Sequence, residues 1–235
     1  MNELWTSIAS RAGIELKPEQ HAQLNQYLDL LTEANQRMNL TRIVDRASAE
    51  LLHIADSLTL LPFLPPGAVR IADVGSGGGV PGIPLAIARP DAHFTLIEAT
   101  KKKALFLTET VATLQLTNVR VHADRAEESG QYSGLRAKFD AAVCRAVGTT
   151  DWIAEWCLPL VKVGGKMLAM KGPKVSEELP LAESAIRRVG GGPATIHGSG
   201  VDSLGGHVIL EIGKVGATPS AYPRSPTFAK GAPLR

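Results

Sequence analysis

The residues with most chemical promise gather around IADVGSGGGVPG, residues 71–82. Gly75, Gly77, Gly78 and Gly79 put four glycines in five positions. Glycine lets a backbone approach a ligand closely and take positive φ. Pro81 stands where a first helical turn tolerates proline, because that N–H has no partner inside the helix anyway. The helix start just beyond presents free N–H groups and a partial positive charge. Such a turn suits a nucleotide-like or otherwise polar cofactor. Glu98 closes the apolar run FTLIE, where an acid would accept both hydroxyls of a ribose. Arg145 ends FDAAVCR and Lys171 follows GKMLAM, so each places a cation at the end of an apolar run. No His/Cys/Asp spacing supports a metal. Cys144 and Cys157 form no CxxC pair, which fits a reducing cytoplasm rather than a disulfide framework.

These groups need a scaffold, and the hydrophobic pattern supplies one. Residues 3–12 read as a short helix. A longer helix opens at Pro18, with Leu24, Tyr27, Leu28, Leu31, Ala34 and Met38 on one face. A third spans 47–62, ended by Pro62, Pro65, Pro66 and Gly67. Residues 1–66 are therefore expected to be a helical extension outside the sheet. From Arg70 the pattern alternates: strands at 70–74, 93–98, 119–122, 139–145 and 165–170, with helices between them. Strands alternating with helices predict a mostly parallel, doubly wound sheet. Two late strands, at 194–197 and 207–212, are close enough in sequence to form an antiparallel hairpin at one edge. Residues 67–213 form the expected α/β domain, and 214–235 read as an extended basic tail.

Bulk composition narrows the class. With 235 residues, 44% hydrophobic and 20% charged, the chain suits a soluble globular protein. No apolar run approaches the ~18 residues that span a bilayer, and no secretory leader is visible. The net charge is +2, but residues 160–235 carry 10 Lys/Arg against 5 Asp/Glu. That balance is compatible with a nucleic-acid partner or with an ordinary solvated face.

Two cofactors compete for the loop. A dinucleotide fingerprint, G-x-G-x-x-G, is met by Gly77, Gly79 and Gly82. The D-x-G-x-G-x-G loop of S-adenosylmethionine-dependent methyltransferases is met by Asp73, Gly75, Gly77 and Gly79. In that frame the acid orients the cofactor's amino group. Glu98 serves either ligand. The late hairpin favours S-adenosylmethionine, as does the absence of a Tyr-x-x-x-Lys or His–Asp constellation for hydride transfer after the fourth strand.

The chain resembles the RsmG family, also called GidB. The resemblance covers almost the whole sequence. It rests on Asn39-Leu40-Thr41, on His53-Ile54 with Asp56-Ser57-Leu58, on DVGSGGGVPGIPLAI and on Cys144-Arg145-Ala146. Met170-Lys171-Gly172, Glu177-Glu178-Leu179 and Tyr222-Pro223-Arg224 extend it. The resemblance implies a Rossmann-like class I methyltransferase fold. That fold is α/β, with a mostly parallel seven-stranded sheet, a C-terminal antiparallel hairpin and an N-terminal helical cap. It implies methylation of N7 of a guanine in small-subunit (16S) ribosomal RNA, on the RNA or a small-subunit precursor, by a cytoplasmic protein. Carried over by position, the cofactor contacts are Gly75, Val80, Ala126, Glu127 and Arg145. Val80 stands where Leu or Phe is common, and Ser225 where a second Arg is common.

Asp73, Glu98, Glu127 and Arg145 all fall at or just after expected strand ends, so they can converge. Guanine N7 has a lone pair and no proton, so the chemistry needs orientation rather than a base. Arg145 and Lys171 are the catalytic candidates, Arg145 for guanine O6, the cofactor carboxylate or a phosphate. The structural alternative for Arg145 is an ion pair with Asp140 or Asp151. Candidate RNA contacts are Asn39, Arg125, Lys171 and Arg224. Asn39 equally suits helix capping. His53 reads as a hydrogen-bonded helix residue, and Trp5, Trp152 and Trp156 as core. Asp56 and Ser57 are expected to tie the helical cap to the glycine loop. No dimer is demanded. A non-catalytic RNA- or ribosome-binding module with a relic pocket, and an NAD-dependent oxidoreductase, remain the competing classes.

Overall fold

Ile71, Ala72 and Val74 are fully buried and form β1 (Arg70–Val74), flanked by parallel neighbours on both sides. A computed structural model describes residues 1–234. Its sheet also contains β2 (His93–Ile97), β3 (Val119–His122), β4 (Phe139–Arg145), β5 (Val161–Lys171), β6 (Gly191–Gly198) and β7 (Val208–Lys214). The spatial order is β3-β2-β1-β4-β5-β7-β6. The first five are parallel, and β7 runs antiparallel to both β5 and β6. The hairpin thus inserts its second strand beside β5 and leaves β6 at the edge. Pro193 lies in that edge strand, where a missing backbone donor is tolerated.

Side-chain alternation divides the core. Ile71, Phe94, Leu96, Val143 and Leu168 face the helical cap, with α5 (Gly82–Ala88) and α6 (Lys101–Thr113). Ala72, Val74, Ala142, Met167 and Ala169 face α8 (Thr150–Cys157) and α9 (Val175–Arg188), and α7 (Ala126–Gln131) packs beside α8. Asp73 shares the parity of Ile71, so its carboxyl points toward α5 rather than α8.

The helical cap comprises α1 (Glu3–Ser10), α2 (Pro18–Met38) and a broken third helix. The single helix expected over 47–62 is instead α3 (Arg46–Ala49), a π-helical segment over Glu50–Ala55 and α4 (Asp56–Leu58). A π turn widens the helix and re-aims its side chains, and such turns frequently mark functional sites. Here it places His53 and Asp56 toward Arg145. The cap also supports the glycine loop. The Tyr27 hydroxyl donates to Gly78 O at 2.8 Å, and a Cβ on Gly78 would lie 2.9 Å from Leu31 Cδ1.

The segment after β7 is not the extended tail that its composition predicts. Arg136 Nη1 donates to Tyr222 O, and its Nη2 to Thr218 O and Pro219 O. Arg224 pairs with Glu155, α10 (Pro226–Ala229) follows, and Leu234 is buried. Prolines remove ladder donors, but carbonyls remain, and two arginines collect them.

Candidate active site

The loop between β1 and α5 turns on Gly75, which has φ +72. A Cβ there would lie 3.0 Å from both methyl carbons of Val147. That close approach forms the waist between two cavities at the carboxyl ends of the strands. One, of 160 Å³, is lined by Ile97, Asp124, Arg125, Ala126, Glu127 and Trp156. The other, of 320 Å³, is lined by Gly77, Val80, Leu40, Thr41, His53 and Arg145. Gly75, Glu98 and Val147 line both.

Glu98 is buried at this waist. Its Oε2 accepts Gly77 N–H at 2.9 Å, and its Oε1 accepts Thr100 N–H at 2.7 Å. Each oxygen keeps a lone pair for a hydroxyl, so the acid arrives already oriented. A third cavity, of 590 Å³, is lined by Ile43, Leu52, Asp56, Met170, Lys171 and Glu178. It shares Arg145 and Ala146 with the second. Ala146 has φ +55, a conformation that costs an L-residue about 1–2 kcal/mol. Three spaces thus run in series: a waist at Glu98, then a gate at Arg145–Ala146. A larger cavity of 620 Å³ lies along β2 and β3, beside Arg70, Thr95 and Arg120, and includes no residue of the glycine loop.

Arg145 is fixed from the helical cap, not by Asp140 or Asp151. It donates to Leu52 O, lies 3.4 Å from Asp56 Oδ2, and reaches His53 Nδ1 at 3.0 Å. A guanidinium only donates, so His53 Nδ1 must accept and the ring proton resides on Nε2. That Nε2 faces Thr41 Oγ1 at 3.2 Å. Burial, reinforced by the Arg145 charge, pushes the His53 pKa down to about 4. The imidazole is therefore neutral near pH 7. Asp56 also meets His207 Nδ1 at 3.2 Å through its other oxygen. Lys171 lies 2.7 Å from Glu178 Oε2 and donates to Gly148 O at 3.1 Å.

The remaining expected site residues separate. Arg125 is exposed at the first cavity's rim, 3.2 Å from Glu127 Oε1. Gly79 packs against Ile83 and Leu107, and Asn39 caps α2 in the left-handed region at φ +51. Asp73 was expected to orient a cofactor amino group. Instead it is 0% exposed and lines neither loop cavity. Its Oδ2 accepts Gly82 N–H at 3.1 Å, and its Oδ1 has no partner among the described residues. Strand parity is the cause, because it turns this side chain beneath the loop. Arg224, expected on RNA, gives Nε and Nη2 to the Glu155 carboxylate at 2.8 and 2.7 Å. Its guanidinium is an internal clamp. Trp156 was read as core, yet it lines the first cavity with a buried Nε1–H that lacks a partner among the described residues.

Asp73 also bears on the choice of cofactor. A dinucleotide would set its pyrophosphate at the N-terminus of α5, and there the Asp73 carboxyl already takes the Gly82 N–H. A sulfonium cofactor makes no such demand. Its purine, ribose and amino-acid ends fit the sequence of first cavity, Glu98 and second cavity.

Burial pushes the Asp73 pKa up to about 7, against the Gly82 hydrogen bond, which favours the ionised form. The folded protein therefore holds a proton there that the unfolded chain releases near its ordinary value of 3.8. This contribution to stability is full below that value and is lost as pH rises through about 7. Asp73→Asn keeps an acceptor for Gly82 and cannot ionise. Its Tm relative to wild type should rise between pH 5 and pH 8 by several degrees, on the scale of about 2–4 °C per kcal/mol. A pH-independent difference in paired thermal melts would refute this.

Among the described residues, no group of three or more His, Cys, Asp or Glu could hold a metal ion, and no helix is long and apolar enough to cross a membrane. Solved structures with this fold include a putative S-adenosyl-L-methionine-dependent methyltransferase from Methanococcus maripaludis. It has TM-score 0.54 and 14% identity, over 72% of this chain and 90% of that one. The TYW2 structure from M. jannaschii in complex with AdoMet gives TM-score 0.52 and 16% identity, over 74% and 80%. Sequence relatives are closer. The ribosomal RNA small subunit methyltransferase G of Moorella thermoacetica is 40% identical over 100% of this chain and 98% of its own length. That of Alkaliphilus oremlandii is 42% identical over 92% and 91%. The family model GidB, described as rRNA small subunit methyltransferase G, matches residues 20–201, and with these full-length relatives it shows that the chain belongs to the GidB family.

Proposed function

We propose that this protein transfers a methyl group from S-adenosylmethionine to N7 of a guanine in 16S ribosomal RNA. Membership of the GidB family carries the reading, and three cavities in series give it a place, with Glu98 between the first two and Arg145 between the last two. When bound, S-adenosylmethionine supplies an electrophilic methyl carbon on sulfur. Glu98 would hold the ribose hydroxyls. Ala126, Glu127 and Trp156 would surround the adenine, while Gly75, Gly77 and Val80 would line the path of the amino-acid end.

Guanine N7 brings its own lone pair to the transfer. No proton moves, so no base is needed, and His53 stays a neutral acceptor for Arg145. What remains for the enzyme is alignment, which accounts for about 7–11 kcal/mol in favourable cases. The product purine is cationic, so unbalanced positive charge beside it would oppose the reaction. Two of the three cations that line the third cavity are balanced, Arg145 by Asp56 and Lys171 by Glu178, and Lys174 is the third. The two paired cations offer donors without unbalanced charge of their own. Arg145 thereby orients the base and Lys171 supports its far side. The exposed Arg125 at the rim is available to a phosphate. The protein works as a monomer in the cytoplasm.

The test incubates purified protein with labelled S-adenosylmethionine and either small-subunit RNA or small subunits lacking the modification, then digests the RNA for nucleoside mass spectrometry. 7-Methylguanosine is expected. Transfer to no RNA would favour a binding module, and calorimetric binding of NAD alone would favour an oxidoreductase. Trp156→Phe keeps an aromatic face, smaller than indole, and removes the N–H. It should weaken S-adenosylhomocysteine binding by about 2–10-fold, the range for one neutral hydrogen bond, with little change in Tm. Equal affinity by calorimetry would remove Trp156 from adenine recognition.

A further inference from the structure

Glu178 is held unusually for a residue that balances a lysine. Thr150 donates both its backbone N–H (2.9 Å) and its hydroxyl (2.7 Å) to Oε2. Lys171 Nζ lies 2.7 Å from the same oxygen. Among the described residues, Oε1 takes no hydrogen bond, although Glu178 lines the 590 Å³ cavity. Burial favours the neutral acid, but the donors from Lys171 and Thr150 outweigh it and hold the pKa below the ordinary value. The result is a fixed carboxylate with one oxygen unclaimed.

The cavity has a direction. Arg145 and Ala146 stand at the gate to the second cavity, while Lys171, Pro173, Lys174 and Glu178 form the other side. A guanine that turns N7 to the gate brings O6 beside it, within the province of Arg145. Its N1–H and N2–H₂ donors then point away from the gate. The free oxygen of Glu178 has two lone pairs and no proton, so it can accept from these N–H donors. Adenine offers an acceptor at N1 and would meet that oxygen with like polarity. Leu52, Met170 and Pro173 supply apolar walls for the ring faces.

We propose that Glu178 is the specificity residue for the target base, reading the N1–H and N2–H₂ edge of guanine through Oε1. This rests on the guanine-N7 reading above and deepens it. Thr150 and Lys171 are then positioning residues, since they act by fixing the carboxylate.

The experiment compares RNA carrying guanosine with RNA carrying inosine at the nucleotide that the wild-type protein methylates. Inosine keeps N7, O6 and N1–H and lacks only the 2-amino group. Wild type should lose about 10-fold in kcat/KM on inosine, the order expected for a lost hydrogen bond to a carboxylate. Glu178→Gln replaces an acceptor with an amide and should lower kcat/KM on guanosine by about 10–100-fold. In that variant guanosine and inosine should become equivalent. S-adenosylhomocysteine affinity should stay unchanged. The inosine arm uses the unaltered protein, so it stands even if the variant folds poorly. Equal wild-type rates on both RNAs would overturn the proposal. So would a Glu178→Gln defect of the same size on each, which would mark a purely structural role. If the wild type methylates RNA at an atom other than guanine N7, the underlying reading fails, and the base-edge assignment fails with it.

Discussion

Arg145→Ala should lower methyl transfer by at least about 100-fold, the scale at which an angstrom of misplacement acts on an aligned reaction. Arg145, with Ala146, is common to the second and third cavities, so its loss opens the gate at which donor and acceptor meet. Stability should fall as well. Arg145 satisfies Leu52 O and faces Asp56, whose side chain is 3% exposed. Removing it leaves that carboxylate with His207 and exposes the carbonyl, a loss of about 1–3 kcal/mol. Arg145→Lys separates the two effects. A lysine keeps the charge but cannot reach Leu52 O, Asp56 and His53 together. It should recover part of the stability and little of the rate. Single-turnover kinetics at saturating cofactor, beside thermal melts, decide the matter. Near-normal turnover in Arg145→Ala would dismiss Arg145 from the reaction.

The second large effect concerns the C-terminal segment. Arg224→Ala should reduce stability by about 3–5 kcal/mol, the range for breaking a buried ion pair. Glu155 is 1% exposed and takes the Arg224 backbone N–H, Nε and Nη2. Without the guanidinium a buried carboxylate keeps only a backbone partner. For a chain of this size Tm should fall by roughly 6–20 °C, at about 2–4 °C per kcal/mol. RNA affinity of the folded protein should keep its salt dependence, since no phosphate contact is removed. An unchanged Tm with a salt slope reduced by about 1 would restore Arg224 as an RNA contact.

Local pattern alone made much of the framework legible. Alternating apolar strands and helices specify the doubly wound sheet. The short link before HVILEI specifies the antiparallel hairpin. The glycine run and the acid at the end of β2 lie where their spacing places them, because a strand, a turn and a helix start are set by neighbours in sequence. The boundaries that shifted have local causes too. The π segment at Glu50–Ala55 leaves the helical apolar spacing almost intact, so periodicity reads it as one ordinary helix.

What only the tertiary structure decided was which groups meet. Asp56 and Arg145 are 89 positions apart, and Glu155 and Arg224 are 69 apart. Nothing in the spacing distinguishes Asp56 from Asp140 or Asp151 as the partner of Arg145. Nor does it separate Trp156, which lines a cavity and whose buried indole N–H lacks a partner among the described residues, from Trp152. The basic C-terminal third looked available to RNA because charge is counted without its partners. Folding pairs Lys171 with Glu178 and Arg224 with Glu155, since a cation losing water must find an acceptor.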